Sequence, residues 1–115
     1  MTEQEWFLNS AVEAETNLQP DELMAALLAI EREMGRERRV PKGPRVIDLD
    51  VLLYGARVVH TTGVEIPHPR MAQRRFVLEP LTEIAPEVRH PLLQRTAAEL
   101  LESVNDSSVV RKARL

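Results

Sequence analysis

Between Trp6 and Thr16, Leu8, Ser10, Val12 and Ala14 alternate with Phe7, Asn9, Ala11, Glu13 and Glu15. This period of two predicts a strand with one mostly apolar face. The period then lengthens. Leu23, Ala26, Leu27, Ile30 and Met34 follow the i, i+3, i+4, i+7 rule of an amphipathic helix whose stripe is assigned to the core. Pro20 suits a first helical position that needs no amide donor, Asp21 and Glu22 offset the helix dipole, and Gly35 is the expected stop. From Gly43 to Tyr54 the run G-P-R-V-I-D-L-D-V-L-L-Y is nearly continuous in apolar residues and predicts a strand buried on both faces.

Gly55 and Ala56 then turn the chain, and Arg57 to His60 is expected to return as the hairpin partner of that strand. After a turn at Thr61 to Gly63, Val64 to Ile66 makes a short strand that leads into Pro67, His68 and Pro69. Met71 to Leu81 reads as a helix with Phe76, Val77, Leu78 and Leu81 inward and a kink or division at Pro80. Thr96 followed by Glu99 is a capping box that opens a helix to about Val104. Asn105 to Leu115 reads as a last edge strand or a frayed tail.

Strands and helices in this order predict an α+β protein, and 115 residues suit a single domain spanning 1–115. Fifteen basic residues against 18 acidic ones leave a net charge of −3, which argues against a nucleic-acid binder held by phosphate attraction. The chain has no cysteine, so disulfides, thiolate catalysis and a cysteine zinc site are excluded. No apolar run reaches membrane-spanning length, and Met1 to Glu5 resembles neither a signal nor a transit peptide. The expectation is a cytoplasmic protein without membrane or nucleic-acid partners.

Two aspartates interrupt the Gly43–Tyr54 run. On a strand Asp48 and Asp50 would project from one face with Cα atoms about 7 Å apart. Side by side in a buried strand they repel each other, and a divalent cation between oxygen ligands relieves that repulsion. The plainer alternative is a strand-end pair that caps loop amides or meets Arg45. Arg36 to Arg45 holds five positive charges in ten positions with a glycine and two prolines, a basic loop next to the aspartates. Arginine forks match phosphate oxygens, so the adjacency points to a metal-bound polyphosphate. Asn9 and Phe7 share a strand face where an amide and a ring can meet a flat, polar-edged ligand, although an ordinary half-exposed strand fits as well. His68 is pinned by a proline on each side, and Glu31 is a polar residue near the end of the helix.

The motif Gly43-Pro44-Arg45-Val46-Ile47-Asp48-Leu49-Asp50-Val51-Leu52-Leu53, with Phe7-Leu8-Asn9 before it and Ile66-Pro67-His68-Pro69-Arg70-Met71 through Arg74, Phe76 and Val77-Leu78-Glu79-Pro80-Leu81 after it, resembles the 6-hydroxymethyl-7,8-dihydropterin pyrophosphokinases of folate biosynthesis. The likeness runs to about Pro86. It implies a ferredoxin-like antiparallel sheet with flanking helices and transfer of pyrophosphate from ATP to 6-hydroxymethyl-7,8-dihydropterin. Two magnesium ions are implied on Asp48 and Asp50, and Arg36 and Arg45 as catalytic cations. His68 and Arg74 would contact the triphosphate, with Glu31 near the nucleotide. For the pterin, the likeness implies Asn9 at the ring edge, Phe76 on its face and Phe7 close by.

Two departures stand out. Lys42 replaces the tryptophan common before the Gly-Pro-Arg motif. The N-terminal β-α-β part of the family, with its Gly-Ser-Asn type motif, has no counterpart here, and the open sheet edge this implies would invite a second copy or a completing partner. Two other functions compete with the kinase reading: a nucleotide-binding module without catalysis, and a small α+β domain that uses the basic loop on nucleic acid. The latter predicts binding that weakens steeply with salt and needs no magnesium.

Overall fold

A computed structural model describes residues 9–37 and 49–106, the last two residues of the first span by backbone alone. Helix α1 spans Pro20–Glu37, strands β1 and β2 span Val59–Thr61 and Val64–Ile66, and helices α2 and α3 span Arg75–Ile84 and Ala97–Ser103. A single 3₁₀ turn, Met71–Gln73, precedes α2. The α+β class is borne out. The chain divides into two compact units, 15–69 and 1–14 with 70–115.

In the first unit α1 starts at Pro20, as its sequence predicts. The backbone N–H of Gln19 donates to Glu22 Oε1 at 2.8 Å, and Leu23 N–H closes the first turn on Gln19 O at 2.8 Å. The helix does not stop at Gly35. That glycine does not take the left-handed conformation a glycine stop requires, and the helix runs on to Glu37. The predicted core stripe also needs correction: Leu23, Ala26 and Leu27 are half-buried, while Ile30 and Met34 are exposed. α1 is about 27 Å long, and β2 is the strand it packs against. Three-residue strands are too short to cover it.

β1 and β2 are antiparallel, with Val59 opposite Ile66, His60 opposite Glu65 and Thr61 opposite Val64. Gly63 turns between them at φ +87°, a conformation that suits glycine. Val64 and Ile66 point into the core and Glu65 out. Among the described residues the hairpin therefore pairs 59–61 with 64–66 rather than 57–60 with 49–54, and the part of the expected strand over 43–48 lies outside them. Residues 49–54 are half-buried apart from exposed Asp50, and they form no ladder among the described residues. A strand requires repeated backbone bonds. Here Leu52 O accepts from His68 N–H at 2.9 Å, and the turn bond from Arg57 N–H to Tyr54 O is local. Tyr54 OH donates to Leu18 O, and Arg57 Nη1 donates to Gln19 Oε1 at 3.1 Å, so this turn is fastened to the start of α1. Residues 9–16 likewise show alternation without a strand. They are largely exposed, and alternation does not itself supply a partner.

The second unit is built on α2 packed against α3, with Met71, Leu78, Leu81, Ala97 and Leu100 buried. Pro80 lies within α2 without dividing it. The break falls instead at Arg74, whose extended backbone (φ −119°, ψ 109°) separates the 3₁₀ turn from α2. α3 carries the predicted capping box: Thr96 Oγ1 accepts from Glu99 N–H at 3.1 Å, and Glu99 Oε1 accepts from Thr96 N–H at 2.8 Å. The bond from the Thr96 backbone, followed by that to its side chain, holds the Glu99 carboxyl below its ordinary pKa. His90, 7% exposed, accepts from Leu92 N–H at 3.2 Å and Leu93 N–H at 3.1 Å through Nδ1. Burial lowers its pKa. No helix among the described residues is long and apolar enough to cross a membrane.

Candidate functional site

The unit 15–69 gathers three of the predicted residues. Glu31, toward the C-terminal end of α1, accepts from Leu49 N–H through Oε2 at 2.5 Å. This bond fastens the chain one residue before Asp50. His68 follows β2 and the cis Ile66–Pro67 peptide, and its own N–H is held by Leu52 O. Two backbone ties thus bring Asp50 and His68 together, with Nε2 and Oδ2 3.7 Å apart. That separation is too long for a hydrogen bond and amounts to a charge contact when the imidazole is protonated. The His68 side chain is 20% exposed and that of Asp50 52%.

Both line an open cleft of about 370 Å³ together with Met24, Thr61, Gly63 and Glu65. Its wall combines two carboxylates, an imidazole, a hydroxyl and apolar surface. Such a wall can offer oxygen ligands to a cation and a donor to a phosphate. Glu65 is a cleft residue that sequence reasoning missed. It stands opposite His60 across the hairpin, with Nδ1 and Oε1 3.5 Å apart, and a three-residue strand is too short to announce which face it presents.

Arg74, Phe76 and Asn9 belong to the other unit. Arg74 sits at the break before α2, and its guanidinium carbon lies 5.6 Å from the centroid of the Phe76 ring, within cation–π range. Phe76 is half-buried, and Asn9 is exposed on a segment without regular structure. Arg75, between Arg74 and Phe76, is held from a distance in sequence. Its N–H donates to Asp106 Oδ2 at 2.9 Å and its Nε to Asp106 O at 3.0 Å, while Nη1 lies 3.5 Å from Glu79 Oε1. Asp106 carries no sequence signal for this role, because it sits in what reads as the start of a tail.

Phe7, Arg45, Asp48 and the side chain of Arg36 lie outside the described residues. Among the described residues no group of three or more His, Asp or Glu is placed to hold a metal ion. Magnesium takes one or two carboxylates and completes its shell with water and substrate phosphates rather than a protein cage. Asp50, exposed on the wall of the open cleft, offers one carboxylate of that chemistry.

Comparison with known proteins bears on residues 1–86, which match the family described as 7,8-dihydro-6-hydroxymethylpterin-pyrophosphokinase (HPPK). A 2-amino-4-hydroxy-6-hydroxymethyldihydropteridine pyrophosphokinase of Bacillus subtilis is 46% identical over 84% of the chain and 56% of its own length. The proteins of the same name from Synechocystis and Methylorubrum extorquens are 43% and 42% identical over 90% and 96% of the chain. These alignments cover 53% and 68% of those two relatives, and the chain spans only 14% of longer folic acid synthesis proteins that it also matches, such as that of Dictyostelium discoideum.

Proposed function

The chain belongs to the 7,8-dihydro-6-hydroxymethylpterin-pyrophosphokinase family, and from that membership we propose that it serves the transfer of a pyrophosphoryl group from ATP to 6-hydroxymethyl-7,8-dihydropterin. In this reaction the pterin hydroxymethyl oxygen forms a bond to the β-phosphorus. The bond between that phosphorus and the oxygen bridging to the α-phosphorus breaks, AMP leaves with that oxygen, and the hydroxyl proton is released. No activated side-chain nucleophile is needed, because positioning and charge neutralisation carry this chemistry.

The observation that carries the reading is the approach of Asp50 to His68 on the wall of one cleft, 3.7 Å apart although they come from two separate motifs. Asp50, with Asp48, would hold magnesium, which when bound neutralises phosphate charge. His68 donates to the triphosphate, and Glu31 keeps Asp50 in place through Leu49. Arg36 and Arg45 supply positive charge to the transferred group and the leaving AMP. Arg74 contacts the triphosphate, Phe76 stacks on the pterin, and Asn9 with Phe7 completes the pterin contacts.

The test is calorimetric titration of the 115-residue chain with a non-hydrolysable ATP analogue and 6-hydroxymethylpterin, with and without magnesium. Nucleotide binding that needs magnesium is expected. Affinity that is indifferent to magnesium and falls steeply with salt would instead favour a nucleic-acid module.

A further inference from the structure

α2 begins badly for a helix. Arg74 at its N-cap provides no side-chain acceptor, its first turn holds no acidic residue, and two arginines stand at the end where the helix dipole is positive. Asp106 remedies both faults from outside the helix. Its carboxylate accepts the first amide of α2, from Arg75, at 2.9 Å, and its carbonyl oxygen accepts from Arg75 Nε at 3.0 Å. The two bonds differ in direction, one along the helix axis and one to the side chain, so together they restrict both the place and the rotation of the first turn. Arg74 and Phe76 are the residues on either side of Arg75. A displaced first turn would carry both away from their mutual contact at 5.6 Å.

We propose that Asp106, twenty residues beyond the segment that matches the family, is a positioning residue for ligand binding by the first turn of α2. It touches no ligand itself. It fixes the backbone between Arg74 and Phe76 through its side chain, while its backbone carbonyl oxygen holds Arg75 Nε folded back, so that Arg74 is the arginine left to meet phosphate. The inference rests on the proposed roles of Arg74 and Phe76.

The test compares wild type, Asp106→Ala, Asp106→Asn and Arg74→Ala by calorimetry with magnesium and the ATP analogue, then with the pterin. All measurements are made at a temperature where melting curves show every variant folded. Amide exchange at Arg75 is followed in parallel. Asp106→Ala is expected to weaken binding about tenfold, the scale of a lost helix cap, and to speed Arg75 exchange. Asp106→Asn, which keeps an acceptor oxygen, is expected to stay within about twofold. A merely structural role would lower the melting temperature and leave affinity in the folded protein unchanged.

Equal or tighter binding by a folded Asp106→Ala overturns the positioning role. If Asp106→Ala does not fold, the Arg75 amide decides. Slow exchange in wild type and Asp106→Asn with matched affinity supports the clasp, and wild-type exchange at the rate of an open amide overturns it. Should Arg74→Ala bind as wild type does, the reading of Arg74 as a ligand contact fails, and the positioning role falls with it. Lost affinity in Arg74→Ala beside full affinity in Asp106→Ala removes the positioning role alone.

Discussion

Glu31 Oε2 and the backbone N–H of Leu49 meet at 2.5 Å, joining the side of α1 to the residue before Asp50. Glu31→Ala leaves that part-buried N–H without its acceptor, a loss of about 1–2 kcal/mol for a hydrogen bond to a charged group that is only partly shielded from water. Urea unfolding should show the destabilisation, and magnesium-dependent nucleotide affinity should fall with it. Glu31→Gln retains an acceptor oxygen and is expected to recover most of both. Wild-type stability and affinity in Glu31→Ala would sink the idea that this bond holds Asp50.

Asp50 carries the metal reading among the described residues. Asp50→Ala is expected to abolish magnesium-dependent binding of the ATP analogue, and Asp50→Asn to do nearly as much, because a neutral amide is a poor ligand for a hard cation. With the carboxylate more than half exposed, folding stability should change little. Titration calorimetry and a melting curve on the same samples separate the two effects, and unchanged affinity in either variant would remove the metal role.

His90 makes stability depend on pH. Nδ1 must be unprotonated to accept from Leu92 and Leu93, and burial lowers the imidazole pKa below its ordinary value of 6.5. The unfolded chain therefore binds the proton more readily. The contribution is complete above about pH 6.5 and is lost as pH falls from there through the lowered folded value. Urea midpoints between pH 5 and 8 are the measurement. His90→Asn, whose side-chain oxygen can accept the same amides without titrating, is expected to flatten the profile over that window. An equally steep profile in His90→Asn would move the dependence to other groups.

The capping box of α3 is a local device with a local test. Thr96→Ala removes the acceptor for Glu99 N–H and is expected to cost about 1 kcal/mol. Thr96→Ser should stay within about half a kcal/mol of wild type, since serine is an equal or better cap. A seven-residue helix has few other bonds to hold it, so far-ultraviolet circular dichroism at intermediate urea should report the loss. Identical midpoints for Thr96→Ala and wild type would count against the cap.

What was legible in the sequence was mostly what neighbouring residues decide. Pro20 with Asp21 and Glu22, Gly63 in its turn, and Thr96 with Glu99 each act within a few residues, and each stands as read. Gly35 does not end α1, because a glycine stops a helix only when the chain enters the left-handed region there, and here it does not. The alternation at 9–16 shows which faces a strand would have but not what it would pair with. Pro80 removes one bond that α2 does without, while the interruption at Arg74 has no proline or glycine to mark it. The candidate site divides the same way. Asp50, His68 and Glu31 stood out by residue type and context, and their contacts required the fold. Asp106 did not stand out, because the first amide of α2 that it caps is thirty-one residues away.

The fastening of Tyr54 to Leu18 also bears on the order in which the chain assembles. That bond closes a loop of 36 residues, and the neighbouring one from Arg57 to Gln19 spans 38. The link from α2 to α3 instead relies on short loops, with Ala97 N–H bonded to Val88 O and Ala98 N–H to Pro86 O. Short loops form sooner because less chain entropy is lost before contacts reward it. In pulse-labelled refolding, amides of 75–103 are expected to gain protection before those of Leu49 and His68, which are held by Glu31 and Leu52 from farther along the chain. The cleft beside Asp50 would then be the later part of the molecule to take shape, waiting on an encounter between distant parts of the chain.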